Sequence, residues 1–295
     1  MDAGILNINK PAGLTSHDVV ARVRRLVPKT RVGHAGTLDP MATGVLIVCI
    51  GKATRLIEYV ADADKRYRAT IRLGTTTTTW DAEGEAEECR SIDGLDLARI
   101  TAELPRFVGA IDQVPPMYSA LKRNGEPLYR LARRGVTVER EARRVEVFSL
   151  EIESWEPPDL TVRVHCSKGT YVRALAHDLG EALGVGAHLA ALMRTAVGAF
   201  ALADAVDLDA LLEQGTTGAW RRYLLDAAVA VERLPRALVD DDAARRLTHG
   251  QPAPLTVVGD GSEAAAFAPD GQLIALVRRD PDSGLWRPHK VLQGA

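Results

Sequence analysis

Four short stretches gather Lys, His, Asp, Tyr and Arg at turns: Asn9-Lys10-Pro11-Ala12-Gly13, Gly33-His34-Ala35-Gly36-Thr37-Leu38-Asp39-Pro40, Lys65-Arg66-Tyr67-Arg68 and Ser167-Lys168-Gly169-Thr170-Tyr171-Val172-Arg173. Asp39 precedes a proline, which drives its backbone toward the extended region, and the neighbouring glycines let a ligand approach closely. A carboxylate presented in this way can act as a fixed anion, a nucleophile or a base. Taken alone, Asp39-Pro40 reads first as the start of a turn, and Arg173, near a helix start, reads first as a surface charge. The chain has no GxGxxG, Walker loop, HExxH or Cys/His cluster, so neither a nucleotide cradle nor a zinc site is indicated. Its three cysteines, Cys49, Cys89 and Cys166, are odd in number and far apart, which excludes a disulfide framework as the organising feature.

The elements that must position these turns can be read from periodicity. Gly4–Asn9 predicts a strand entering the Lys10–Gly13 turn. Ser16 is placed to cap a helix whose Val19, Val20, Val23 and Val27 share a face. Residues 31–40 predict a loop, followed by the apolar run Val45–Ile50 and a helix over 52–61. Tyr67, Ala69, Ile71 and Leu73 alternate with polar residues as in a half-buried strand, and Thr75–Thr79 predicts a loop or strand end. Further on come a helix over 97–104, a basic helix ending near Gly135, strands over 145–153 and 160–166, and a helix over 171–183 with Gly184 at C′. Strands and helices interleave irregularly, which predicts an α+β domain with a mixed sheet rather than a doubly wound parallel fold. After Leu234-Pro235 a helix over 240–249 precedes three or four brief strands. The division expected is therefore a domain over 1–234 and a small β-rich one over 235–295.

Composition is that of a globular protein, with 46% hydrophobic and 26% charged residues. The longest tight apolar run is too short to span a bilayer, and Met1–Pro11 has neither a basic nor an apolar signal region. A cytoplasmic location is expected. A net charge of −2 conceals segregation: residues 117–145 carry eight basic side chains (Lys122, Arg123, Arg130, Arg133, Arg134, Arg140, Arg143, Arg144) and three acids. Such a surface attracts phosphate within a Debye length, roughly 8 Å, whatever the total charge. Without another sign of RNA it reads first as a solvated helix face. Arg outnumbers Lys 30 to 7, so Lys10, Lys65 and Lys168 stand out slightly.

The segment from Gly33 to Gly44 resembles the signature of the TruB family of tRNA pseudouridine-55 synthases. The resemblance continues through Lys65-Arg66-Tyr67-Arg68, Pro115-Pro116-Met117-Tyr118-Ser119-Ala120-Leu121-Lys122, Lys168–Arg173 and Gly186-Ala187-His188-Leu189, and covers residues 4 to 202 in order. One departure is Thr78, where many members have Asp in a Thr-Asp-Thr run. The resemblance implies isomerisation of a uridine in the tRNA T-loop with no cofactor and no metal. It implies Asp39 as the catalytic carboxylate, Arg173 as its ion-pair partner and Tyr67 as the ring that stacks on the base. It further implies that His34 fills the space left by the flipped nucleotide, and that Tyr171, Leu192, Lys10 and Lys168 shape the site. The basic 117–145 stretch then corresponds to a mobile insertion that closes on the RNA, and residues 235–295 to a PUA-like RNA-binding domain. A monomer acting on the tRNA T-arm, with no membrane and no obligate protein partner, is expected. The rivals are a guide-RNA-dependent synthase, a tRNA-folding chaperone, and a nucleoside hydrolase, the last disfavoured because no second acid or metal site is apparent.

Overall fold

The computed structural model describes residues 3–292 except 120, 124, 216 and 260, and excludes the side chains of Lys122 and Arg133. The first part of the chain runs β1 (Gly4–Lys10), α1 (Ser16–Leu26), β2 (Val32–Ala35), β3 (Thr43–Ile50), α2 (Ile57–Ala61), β4 (Lys65–Leu73), β5 (Thr75–Thr77), β6 (Ala86–Cys89), α3 (Leu97–Glu103) and β7 (Gly109–Gln113). The basic stretch contributes only β8 (Lys122–Arg123), β9 (Glu126–Pro127) and the six-residue α4 (Leu128–Arg133). Then come β10 (Arg143–Glu156), β11 (Asp159–Cys166), α5 (Val172–Leu183), β12 (Ala187–Val197), β13 (Phe200–Ala201), β14 (Val206–Asp207) and α6 (Leu208–Glu213).

Ten of these strands form one mixed sheet in the order β14-β1-β3-β12-β4-β11-β10-β7, with β2 attached to β3 and β13 to β12. The apolar run of β3 is continuous because both its faces are covered. Leu46, Val48 and Ile50 enter the main core beneath α1 and α5, whereas Val45, Ile47 and Cys49 enter a second core. β4 has the predicted alternation: Ala69, Ile71 and Leu73 point into the core, with Arg66, Arg68 and Arg72 exposed.

Three local expectations need correction. Residues 32–35 are a strand, not loop: β2 pairs with β3 along its length, from Val32↔Ile50 to Ala35↔Ile47, and that tertiary pairing overrides the glycine. Thr15, not Ser16, caps α1. Its hydroxyl accepts from Asp18 N at 3.1 Å while the Asp18 carboxylate accepts from Thr15 N at 2.9 Å. Ser16 is the first helical residue and its hydroxyl is used elsewhere, as described below. The helix expected over 52–61 begins as a 3₁₀ turn, Gly51–Leu56, and becomes α-helical only from Ile57.

Beyond Leu234 the chain forms β15 (Arg236–Leu238), α7 (Asp241–Thr248), β16 (Val257–Val258), β17 (Glu263–Phe267), β18 (Leu273–Arg279) and β19 (Trp286–Val291). These five strands, rather than three or four, make a separate sheet in the order β16-β15-β17-β18-β19. One face packs under α7; the other, through Ala265, Phe267, Leu273 and Leu276, packs against Leu56 and Val231 of the larger unit. Among the described residues no helix is long and apolar enough to cross a membrane.

Candidate active site

Asp39 lies on the loop between β2 and β3, and three buried groups fix that loop from behind. The Ser16 hydroxyl accepts from Leu38 N at 2.9 Å and donates to Leu38 O at 3.2 Å. The Lys10 ammonium, fully buried, donates to Pro11 O, Leu14 O and Pro40 O at 2.9, 2.7 and 3.1 Å. Arg194, 1% exposed, donates to Gly36 O, Thr37 O and Val45 O at 3.2, 3.3 and 2.7 Å. Two buried cations thus satisfy backbone carbonyls rather than carboxylates. Burial pushes the Lys10 ammonium down to about 8, against the opposing pull of Asp39. Gly44 makes the close approach possible. Its φ is +97°, and a Cβ there would lie 2.2 Å from Arg194 O.

The carboxylate is held by one arginine shared between two acids. Arg173, the second residue of α5, places Nε 3.0 Å from Asp39 Oδ2 and Nη1 3.1 Å from Asp81 Oδ2. Its remaining capacity goes to Tyr118 O at 2.7 Å and Thr79 O at 3.3 Å. The Arg173 and Asp81 side chains are 5% and 4% exposed, that of Asp39 34%. Asp39 is therefore the one of the three that faces an incoming ligand. Asp81 is in turn oriented by the Thr79 hydroxyl at 2.5 Å and by Glu83 N at 3.1 Å. Burial raises the Asp39 carboxyl above the ordinary carboxylate range and Asp81 adds to this, while Arg173 and Lys10 pull it down.

In front of Asp39 is a cavity of about 280 Å³ walled by Tyr67, Tyr171, Leu192, Arg173 and Arg194. Tyr67 sits on β4 between Val164 of β11 and Arg194 of β12. Burial raises its phenol and contact with Arg194 opposes that rise. The Gln113 side chain brackets the Tyr171 backbone, accepting from its N–H at 2.7 Å and donating to its carbonyl at 3.0 Å. Leu192 comes from β12, opposite Ala69. A larger cavity, about 930 Å³, opens where Lys29, Arg31, Lys52 and Arg55 meet the C-terminal sheet. It contains neither Asp39 nor an aromatic ring, so it lacks the means to hold and react with a base.

The other expected residues lie around this pocket rather than in its wall. Lys10 is behind the loop. His34 is half-buried on β2, edge-on to His17 with ring centres 5.1 Å apart, and burial, His17 and Arg194 lower its pKa. Lys168 is exposed and pairs with Asp62 at 2.8 Å. Of the basic stretch, Arg130 and Arg143 are exposed, Arg134 pairs with Glu126 at 2.8 Å and Arg144 with Asp112 at 3.0 Å. Arg123 donates to Glu139 O, and Arg140 turns inward to Pro115 O at 3.1 Å. Ala120 and the side chains of Lys122 and Arg133 fall outside the described residues. Among the described residues no three His, Cys, Asp or Glu side chains gather as a metal site requires.

Sequence reasoning missed Asp81 and Arg194. Asp81 follows a threonine run and has no periodic signal; its partner Arg173 is distant along the chain. Arg194 could have been noticed, because strand alternation puts it on the same side as Leu192, and an inward arginine needs partners.

Comparison with known proteins gives a consistent result over the whole chain. Residues 24–172 match the family described as TruB family pseudouridylate synthase (N terminal domain). Residues 173–232 match the tRNA pseudouridylate synthase B C-terminal domain, and 234–293 the tRNA pseudouridine synthase II C-terminal family. A tRNA pseudouridine synthase B of Burkholderia lata is 49% identical over 86% of this chain and 79% of its own. That of Dehalococcoides mccartyi is 43% identical over 98% and 96%. Among solved structures, the crystal structure of a Cbf5-Nop10-Gar1 complex contains a chain 28% identical, with TM-score 0.78, covering 99% of this chain and 85% of that one.

Proposed function

The chain belongs to the TruB family and isomerises uridine to pseudouridine in tRNA, and from this premise we propose that it acts at position 55 of the T-loop with Asp39 as the catalytic carboxylate. The reaction breaks the N1–C1′ bond, turns the base over, joins C5 to C1′ and moves the C5 proton away while N1 gains one. It is redox-neutral. What it needs is an anion fixed beside C1′, and the observation that carries the reading is Asp39, partly exposed at the pocket while Arg173 holds it at 3.0 Å. Asp39 either attacks C1′ or removes the 2′ proton on a glycal route; the geometry suits both.

Position supports the following roles for the neighbours. Tyr67 offers a ring face to the base and an oxygen near its C5, and Tyr171 and Leu192 close the pocket. Arg173 orients Asp39. Lys10 and Arg194 hold the loop. Because the target base is stacked in a folded loop, it must be flipped out at a cost of a few kcal/mol. His34, on β2, fills the vacated space, and Lys168, next to the lining residues Ser167 and Gly169, contacts the RNA at the rim. The 117–145 insertion and the β-rich 235–295 unit supply RNA contacts, the second as a PUA-like domain. The protein works as a cytoplasmic monomer without guide RNA or partner protein, consistent with relatives that match nearly end to end under the synthase name. A chaperone role alone is disfavoured, since binding and unfolding RNA need no paired Asp39 and Arg173.

The test is to incubate the wild type and Asp39→Asn with an unmodified tRNA transcript and map pseudouridine by mass spectrometry. Wild type should modify position 55. Asp39→Asn should fold and bind tRNA but lose activity by several orders of magnitude, because the amide keeps shape and removes the anion. Asn activity within about tenfold of wild type would refute the role of Asp39, since loss of a fixed transition-state charge is worth far more.

A further inference from the structure

Trp80 adopts a left-handed backbone with φ 62°, unusual for a bulky residue. Its ring stacks on His177 of α5, centroids 4.2 Å apart and planes 8° off parallel. The Arg140 guanidinium also lies over the Trp80 ring, 5.5 Å from its centre. His177 is one helical turn beyond Arg173, so both project from one face of α5 toward the same turn. Arg173 in turn bonds to the residues on either side of Trp80, donating to Thr79 O and to the Asp81 carboxylate. The ring of Trp80 and the guanidinium of Arg173 are therefore linked through His177 on α5 and through the backbone of residues 79–81.

Both ends of the basic insertion converge on this point. At its start, Tyr118 O accepts from Arg173 Nη2 at 2.7 Å. At its end, Arg140 lies on Trp80 and donates to Pro115 O, joining the end back to the start. Yet the contact is incompletely satisfied: among the described residues, Arg140 Nε and His177 Nδ1 are buried without a hydrogen-bond partner. Buried unpaired polar atoms favour any rearrangement that pairs them.

We propose that Trp80 and Arg140 clamp the 117–145 insertion to the Arg173 guanidinium, so that the position the insertion takes on RNA sets the orientation of Asp39. Both are positioning residues. The inference rests on the reading of Asp39 as the catalytic carboxylate. It gives Arg140 a purpose other than phosphate binding, and it gives the strained backbone at Trp80 a reason: the kink aims the ring at α5 and Asp81 at Arg173.

The test uses the full-length protein, a T-arm RNA hairpin, and single-turnover kinetics with Trp80→Gly, Arg140→Ala and the double variant. Glycine accepts the left-handed backbone and removes only the ring; Trp80→Asn, which also tolerates it, serves if the glycine variant does not fold. Each single variant should slow the reaction at saturating hairpin about tenfold, with hairpin affinity and its salt slope unchanged, as removal of one cation–ring interaction would do. The double variant should be no slower than the slower single one, because both remove the same clamp. Normal single-turnover rates, or losses that multiply in the double variant, would overturn the clamp. Weakened binding with a flatter salt slope and a normal rate in Arg140→Ala would overturn it too, making Arg140 a phosphate ligand. Asp39→Asn runs alongside: if it stays active, the reading of Asp39 fails and the clamp loses its object, whereas an inactive Asp39→Asn beside normal clamp variants sinks the clamp alone.

Discussion

A guanidinium shared by two carboxylates does more than neutralise them. Arg173 supplies charge and also a planar fork whose Nε faces Asp39 while Nη1 faces Asp81. Lysine would keep the charge and lose the fork; alanine would lose both. Removing one partner of a buried pair costs on the order of 3–5 kcal/mol, since the other charge is left uncompensated. Arg173→Ala should accordingly be almost inactive. Burial already raises the Asp39 carboxyl and Arg173 opposes it, so in the alanine variant the acid limb of any residual activity should move to higher pH. Arg173→Lys should bind tRNA nearly normally and turn over slowly. Near-wild-type turnover in both variants, measured across pH, would show that Arg173 does not orient Asp39. The turns alone did not announce the Asp39–Arg173 pairing; it was legible only through the family resemblance, because both residues stand in stretches that match its motifs. Asp81 was not, because what makes it special is a contact with residues about ninety positions away. Arg194 was missed for the same reason, its carbonyl partners lying about 150 positions away. Lys10 stood out in the sequence, but that it binds the carbonyls of Pro11, Leu14 and Pro40 is a chemistry no side-chain pattern announces.

At the scale of elements, the large strands and α5 were readable because burial imposes period two or 3.6 on them. β2 and the cap of α1 were misjudged where tertiary hydrogen bonds outweighed local chemistry: β3 recruits a glycine-bearing segment as a strand, and Leu38 claims the Ser16 hydroxyl. In the basic insertion the arginines are not equally free to meet a phosphate. Arg134 and Arg144 already have carboxylate partners, and Arg140 is turned inward. Arg130 and Arg143 are exposed and have no ion pair among the described residues. Among the described side chains of this stretch, phosphate binding should therefore come chiefly from these two. Replacing Arg130 and Arg143 by alanine should weaken tRNA binding and reduce the slope of log affinity against log salt by up to about 2, roughly 1 for each phosphate no longer neutralised. Replacing Arg134 and Arg144 should change the slope less. Equal slopes for both pairs would mean that the surface pairs open readily and that the static contacts do not rank the arginines.

At the scale of the molecule, the two sheets are joined by side chains from the 51–61 segment and from the linker that ends near Leu234. Tyr59 donates to Glu263 at 2.6 Å, and Lys290 donates to Arg55 O at 2.8 Å, above the apolar contact of Leu56 and Val231 with Phe267 and Leu273. The change in character after Leu234-Pro235 made a β-rich C-terminal region visible in sequence; how its sheet docks was not, because the bonds of Tyr59 and Lys290 join residues more than two hundred positions apart. On the linker side the joint is Asp64, which precedes β4. Its carboxylate lies 2.6 Å from His165 Nε2 of β11 and 2.5 Å from Arg233 Nη2 of the linker. Burial alone would raise its pKa, but the bonds from Arg233 and His165 outweigh it and hold the carboxyl at about 2, below the 3.8 of an unperturbed aspartate. A depressed folded-state pKa stabilises the folded protein fully above the unfolded value and ceases to do so as pH falls through the folded one. The window therefore runs from about pH 4 down to about pH 2. The shift corresponds to about 2 kcal/mol, and because Arg233 is 70% exposed a value nearer 1 kcal/mol is expected after screening. Asp64→Asn should lower stability by about that amount at pH 7 and at pH 5, read as the difference between urea unfolding curves. At pH 3 the difference should shrink to about half, since the unfolded carboxyl then takes up its proton while the folded one does not. A difference that persists unchanged to pH 3 would mean that Asp64 acts through shape and neutral hydrogen bonding, and no difference at pH 7 would mean that the joint to Arg233 is not held by charge.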